Sequence, residues 1–154
     1  MFFHRLLPGL RQIAILLLLV LPAGQGHTQV NSESQLKAAF LVNFLKYVEW
    51  PASTATNVTI CLFGRDRLGA FLSNYEGRTI GGRELRVRRV NGPDHLDECQ
   101  VLFIPDTEEV RFGVVLRWVE NQPTLTVSDA EIFAQQGGAI ALVRSEGRLQ
   151  FDIN

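Results

Sequence analysis

Residues 37–51, Lys37-Ala-Ala-Phe-Leu-Val-Asn-Phe-Leu-Lys-Tyr-Val-Glu-Trp-Pro51, set the frame for the rest of the chain. Leu36, Phe40, Phe44 and Val48 recur every fourth position, and Leu41 and Leu45 widen the stripe. A period of 3.6 residues puts all six on one side of a helix. Asn43, Lys46 and Glu49 leave only a narrow polar seam, so most of the circumference is expected to be covered. Ser32 with Gln35 fits a capping box at the start, and Pro51 cannot continue the helix. An apolar run of about 15 residues is too short for a bilayer, which needs about 20. The stretch predicts a core helix.

The N-terminal 26 residues predict a secretion leader. Arg5 and Arg11 precede the apolar run Ile13–Leu21, and Pro22-Ala-Gly-Gln-Gly26 supplies small residues for cleavage between Gly26 and His27. The alternative is an uncleaved anchor. Removal leaves residues 27–154, enough for one domain with its own core. Without Arg5 and Arg11, 13 basic residues face 16 acidic ones, a balance of −3. Such a charge carries no global signal for nucleic acid or an anionic membrane. In an exported chain the two cysteines, Cys61 and Cys99, read as one disulfide; the alternative is two free thiols packed as small hydrophobes.

Val58–Phe63, Glu84–Val90, Val101–Ile104 and Thr124–Val127 read as strands. Asp66 can cap a short helix with Leu68, Phe71 and Leu72 inward. Thr107 can cap a longer one with Val110, Val114, Val115, Trp118 and Val119 on its inner face. Ser128-Asp129 opens a helical turn through Ile132 and Phe133. Ala139–Val143 and Leu149–Ile153 flank Glu146-Gly147 as a hairpin. Strands alternating with helices predict an α/β fold: one domain, a mostly parallel sheet flanked by helices, and a C-terminal antiparallel hairpin.

Asn43-Phe44, Lys46-Tyr-Val-Glu-Trp-Pro51, Cys61-Leu-Phe-Gly64 and Gly77-Arg-Thr-Ile-Gly-Gly-Arg83 follow one another in an order that resembles the YfiR family. Cys99-Gln-Val-Leu-Phe-Ile104, Leu125-Thr-Val-Ser-Asp129, Gly137-Gly138 and Phe151-Asp-Ile-Asn154 continue it. The resemblance covers nearly everything after residue 31. It implies a periplasmic α/β protein that represses an inner-membrane diguanylate cyclase by binding its periplasmic sensor domain, limiting cyclic-di-GMP and biofilm formation. An outer-membrane lipoprotein that sequesters the repressor, and a homodimer, are further implied partners. It also implies a last helix beyond the Phe151–Asn154 strand; this sequence stops at Asn154, so the expectation is either an uncovered face or a truncated sequence.

Catalytic templates fail on the residues. His27 and His95 make no metal-ligand pair, no Gly-x-Ser-x-Gly elbow exists, and Asp94, Asp97 and Glu98 have no partner set defining acid and base. Gly64-Arg-Asp-Arg-Leu-Gly69 copies phosphate-loop glycine spacing, but Ala70-Phe71 stand where Lys and Ser/Thr are needed. The expectation is no enzyme, no cofactor and no metal. Arg78, Arg83, Arg86, Arg88 and Arg89 crowd twelve residues against Glu84 alone. They read as an aggregation-resistant sheet edge or as a grip for an acidic partner. Trp50 and Phe112 are candidate rim anchors for the same contact. Two rival roles stand beside regulation: an envelope assembly or structural component, and a small-ligand sensor. The sensor's site would lie at the strand ends near Gly64, Pro105 and Ser128-Asp129.

Overall fold

The computed structural model describes residues 26–154. The expected leader, 1–26, lies all but wholly outside the described residues. The chain runs α1 (Gly26–Tyr47), β1 (Asn57–Phe63), α2 (Gly69–Leu72), β2 (Thr79–Ile80) and β3 (Arg83–Val90). It continues through β4 (Val101–Phe103), α3 (Phe112–Val119), β5 (Leu125–Ser128), β6 (Ile140–Ser145) and β7 (Arg148–Ile153). Seven strands form one sheet in the order β2-β3-β1-β4-β5-β6-β7. Pairings from β3 across to β6 are parallel, while β2 and β7 pair antiparallel at the two edges. The fold is α/β, with the C-terminal hairpin at one edge. None of the described helices is long and apolar enough to cross a membrane.

Alternation along the strands builds two cores. Ile60 and Leu62 of β1, Val101 and Phe103 of β4, and Ile140 and Leu142 of β6 face α1 and α2. Cys61, Phe63, Leu102 and Ala141 face α3 and the turns beside it. The period of two thus feeds both faces of a fully covered parallel sheet. β1 leads through α2 to β3 on one side; the chain then returns to β4 on the other side of β1. Right-handed crossovers heading in opposite directions must lie on opposite faces. α2 and α3 do, and their divergence opens a crevice between the ends of β1 and β4.

Three helical expectations need correction. The capping box does not form, because α1 runs back to Gly26 and places Ser32 inside the helix. Glu33 and Lys37 tie this segment to the sheet through Arg144 and Asp129, which sustains helix upstream of the expected start. The buried row of α1 is Ser34, Ala38, Leu41, Val42 and Leu45, not the row of phenylalanines. Leu36 and Tyr47 are exposed, and Phe40 and Phe44 are half-buried, so α1 is covered on one side only. Thr107 does not cap α3. A 3-10 turn spans Asp106–Arg111 first, and its leading Asp106 N–H donates to Asp129 from the end of β5. The register moves with it: Phe112, Val115 and Val119 are buried, and Val110 is exposed.

Two local readings hold. Asp66 Oδ1 accepts from the N–H groups of Leu68 and Gly69 at 2.6 and 2.7 Å, starting α2 with Leu68 and Leu72 buried. Glu146 and Gly147 both take positive φ, 50° and 75°, as a two-residue hairpin turn requires. Cys61 and Cys99 are bonded, with Cα atoms 5.7 Å apart, which staples β1 to the turn that enters β4.

Candidate functional site

Three surfaces hold the residues singled out from the sequence. On β3 the arginines divide between the faces of the sheet. Arg86 and Arg88 share one face; Arg89 lies on the other with Leu85 and Val87, which join the α1 core. Most of these guanidinium groups are already engaged. Arg86 pairs with Glu84 at 3.0 Å and Glu76 at 3.7 Å. Arg88 binds Glu98 at 2.7 Å and the His95 carbonyl at 2.6 Å, and lies over the disulfide sulfurs. Its hydrogen bond, and then its charge, hold the Glu98 carboxyl below the usual carboxylate range. Arg89 binds Asp66 and the Gly64 carbonyl, and Arg78 stacks on Tyr75. Arg78 and Arg83 are the members of the set without an ion pair among the described residues. The crowding in sequence is therefore balanced by acids from four separate segments.

The aromatic anchors go inward. Trp50 is half-buried against the α1 core, and its Nε1 donates to the Leu45 carbonyl at 3.2 Å, closing the last turn of α1. Phe112, expected at a rim, is fully buried and meets Phe133 edge-on at 4.8 Å. The shift of α3 register explains the correction, since Phe112 starts the helix on its inner face. Exposed apolar surface lies elsewhere. Phe151 of β7 packs edge-on to Phe40 at 4.7 Å and to Phe44 at 5.8 Å. Phe151 and Ile153 nevertheless stay 45% and 69% exposed, and Leu36 and Tyr47, which share the helical face of Phe40 and Phe44, are exposed too. These positions form an apolar strip along the β7 edge of the sheet, where the outer row of α1 meets the α1-facing row of β7. Sequence periodicity marks both rows as apolar; that they meet and stay open depends on the strand order.

At the carboxyl ends of β1, β4 and β5 lies a cavity of about 520 Å³, lined by α1, residues 65–68, the segment Pro105–Thr107, and Asp129. Of the expected sensor positions, Pro105 and Asp129 line it, while Gly64 and Ser128 do not. Ser128 faces inward. That side chain is buried, and its hydroxyl accepts the Ala130 N–H, shaping the turn. Asp129 bridges outward, with Oδ2 accepting from Lys37 Nζ at 3.0 Å and Oδ1 from Asp106 N. Lys37 also meets Glu33 at 2.8 Å, and Glu33 reaches Arg144 of β6 at 2.7 Å. Hydrogen bonding from Lys37, reinforced by the charges of Lys37 and Arg144, pulls the Glu33 carboxyl down against the opposing effect of burial. Burial works against the Lys37 charge, yet Glu33 and Asp129 outweigh it and raise its pKa. The Glu33-to-Lys37 spacing of four, acid first, was a legible signal for this chain of charges. Arg65 and Arg67 could have been marked by their place just past a strand's carboxyl end.

A family model described as YfiR/HmsC-like matches residues 34–154, which include every strand of the sheet.

Proposed function

The chain belongs to the YfiR/HmsC-like family, whose members are periplasmic regulators of diguanylate cyclases rather than catalysts, and we propose that it represses a membrane cyclase by binding that enzyme's periplasmic sensor domain. The match over residues 34–154 carries this reading. The physical requirement is a surface that grips the inactive cyclase more tightly than the active one. Each tenfold shift toward inactivity needs about 1.4 kcal/mol of differential binding.

The apolar strip of Leu36, Tyr47, Phe151 and Ile153 supports such a contact better than the arginine strand. Its side chains are exposed, whereas Arg86, Arg88 and Arg89 are held by internal partners. Among the described residues β7 is also an edge strand, whose outer row of backbone groups suits pairing. A homodimer and sequestration by an outer-membrane lipoprotein belong to the same reading, as other occupants of the strip. Export by a cleaved leader and a downstream effect on biofilm complete it.

Deleting the gene tests the proposal: cellular cyclic-di-GMP should rise and fall again when the wild-type gene is restored. An unchanged level would refute repression. The crevice favours a second reading, small-ligand sensing, because it lies where α/β sheets bind ligands.

A further inference from the structure

The parallel strands β3-β1-β4-β5-β6 reverse their direction of growth between β1 and β4, and the cavity opens outside the ends of those strands. Its volume, about 520 Å³, lies within the range of about 300 to 1,000 Å³ usual for small-ligand sites. Most charges around it are already spent. Asp66 is taken by Leu68 N, Gly69 N and Arg89. Glu33 and Asp129 are taken by Lys37, Arg144 and Asp106 N.

Arg65 and Arg67 are different. Both line the cavity and are exposed, and neither has an ion pair or hydrogen bond among the described residues. Asp106 is the carboxylate of the lining without an ion pair among the described residues, and with the outer partners Arg89 and Arg144 counted the charges around the cavity sum to +1. Ser34 of α1 also lines the cavity. The residue is 7% exposed, and its hydroxyl is not among the buried polar atoms left without a partner, so it opens to the cavity. The cavity wall otherwise includes the apolar Leu68 and Phe103.

We infer that this crevice binds a small organic anion. Its oxyanion head, carboxylate or phosphate, is gripped by Arg65 and Arg67; its apolar body lies along Leu68 and Phe103; and Ser34 bonds a polar atom on that body. Guanidinium groups suit both heads, through paired N–H donors. The inference does not depend on the cyclase reading. Failure of ligand binding leaves repression intact, and failure of repression leaves the crevice intact.

Isothermal titration of the purified protein with benzoate, phenyl phosphate and inorganic phosphate tests it. At least one aromatic anion should bind with one-to-one stoichiometry and more tightly than inorganic phosphate; which of the two binds better identifies the head. Arg65→Ala with Arg67→Ala should weaken that binding by about tenfold or more, the loss expected for charged hydrogen bonds. Ser34→Ala should weaken it less. Both arginines are exposed and unbonded, so the double variant should melt with the wild type. Arg117→Ala, on the α3 side of the sheet, should bind as the wild type does. Binding of neither aromatic anion would overturn the inference. So would binding indifferent to the double substitution, or inorganic phosphate bound as tightly as phenyl phosphate.

Discussion

Lys37 keeps its charge where burial opposes it, because two carboxylates from different elements converge on one ammonium. The linkage to pH has two arms. The depressed Glu33 contributes stability above the ordinary carboxylate pKa and loses it as pH falls through its lowered folded value. The raised Lys37 contributes below the ordinary lysine pKa and loses it as pH rises through its raised folded value. Both contributions are complete at neutral pH. Lys37→Met should therefore cost about 3 kcal/mol at neutral pH by leaving carboxylates short of a partner. It should also make the acid-side loss of stability shallower, as urea unfolding at neutral pH and near pH 3 would measure. An acid limb as steep as the wild type's would contradict the assignment. At Gly138 a methyl group would land inside the Phe133 ring. Gly138→Ala should cost about 1–3 kcal/mol by overpacking, read from the denaturant midpoint. Residue types alone pointed to a glycine turn here, but not to the ring lying against it.

At the scale of elements, legibility followed whether local pattern or tertiary partner decides the outcome. Strand positions other than the short β2, hidden in a glycine-rich turn, the Asp66 start of α2 and the Glu146-Gly147 turn rest on local chemistry and could be read within a residue or two. The phase of α1 could not. Its phenylalanines have the spacing of a core stripe, yet they pack on Phe151 at the sheet's end while the smaller Ala38 faces the strands. Only the register of β7 on β6 reveals that partner. The start of α3 moved for a similar reason: Asp129, a loop away, takes the Asp106 N–H, and a 3-10 turn then runs through the position where Thr107 seemed placed to cap. The disulfide is an element-scale device, since it closes a separation of 38 residues between β1 and the entry to β4. Cys61→Ala with Cys99→Ala should lower stability by about 4 kcal/mol in the chain-entropy model, or somewhat less. Calorimetry with and without reductant checks this: wild type should fall toward the double variant when reduced. Equal melting temperatures in all four samples would contradict it.

Across the whole molecule, sheet order decides which surfaces are available. It brings Arg65, Pro105 and Asp129, distant in sequence, to one crevice, as the strand-end rule anticipates. It also turns the apolar row of β7 outward beside α1. The candidate contact surface was less legible than the crevice. A run of arginines is conspicuous in sequence, but the acids that neutralise it come from Asp66, Glu76, Glu84 and Glu98 and meet it only after folding. Interface anchors chosen by aromatic type, Trp50 and Phe112, serve as a helix closure and a core side chain instead. The central claim is that an exported α/β domain restrains a cyclase by touching its sensor domain through the apolar strip. Biolayer interferometry of the purified protein against isolated periplasmic sensor domains of the cell's membrane diguanylate cyclases tests this most directly. Saturable binding to one of them, lost in a folded Phe151→Asp variant and kept when Arg86 and Arg88 are replaced by Gln, is the predicted result. Binding to none of them, or binding untouched by Phe151→Asp, would contradict it.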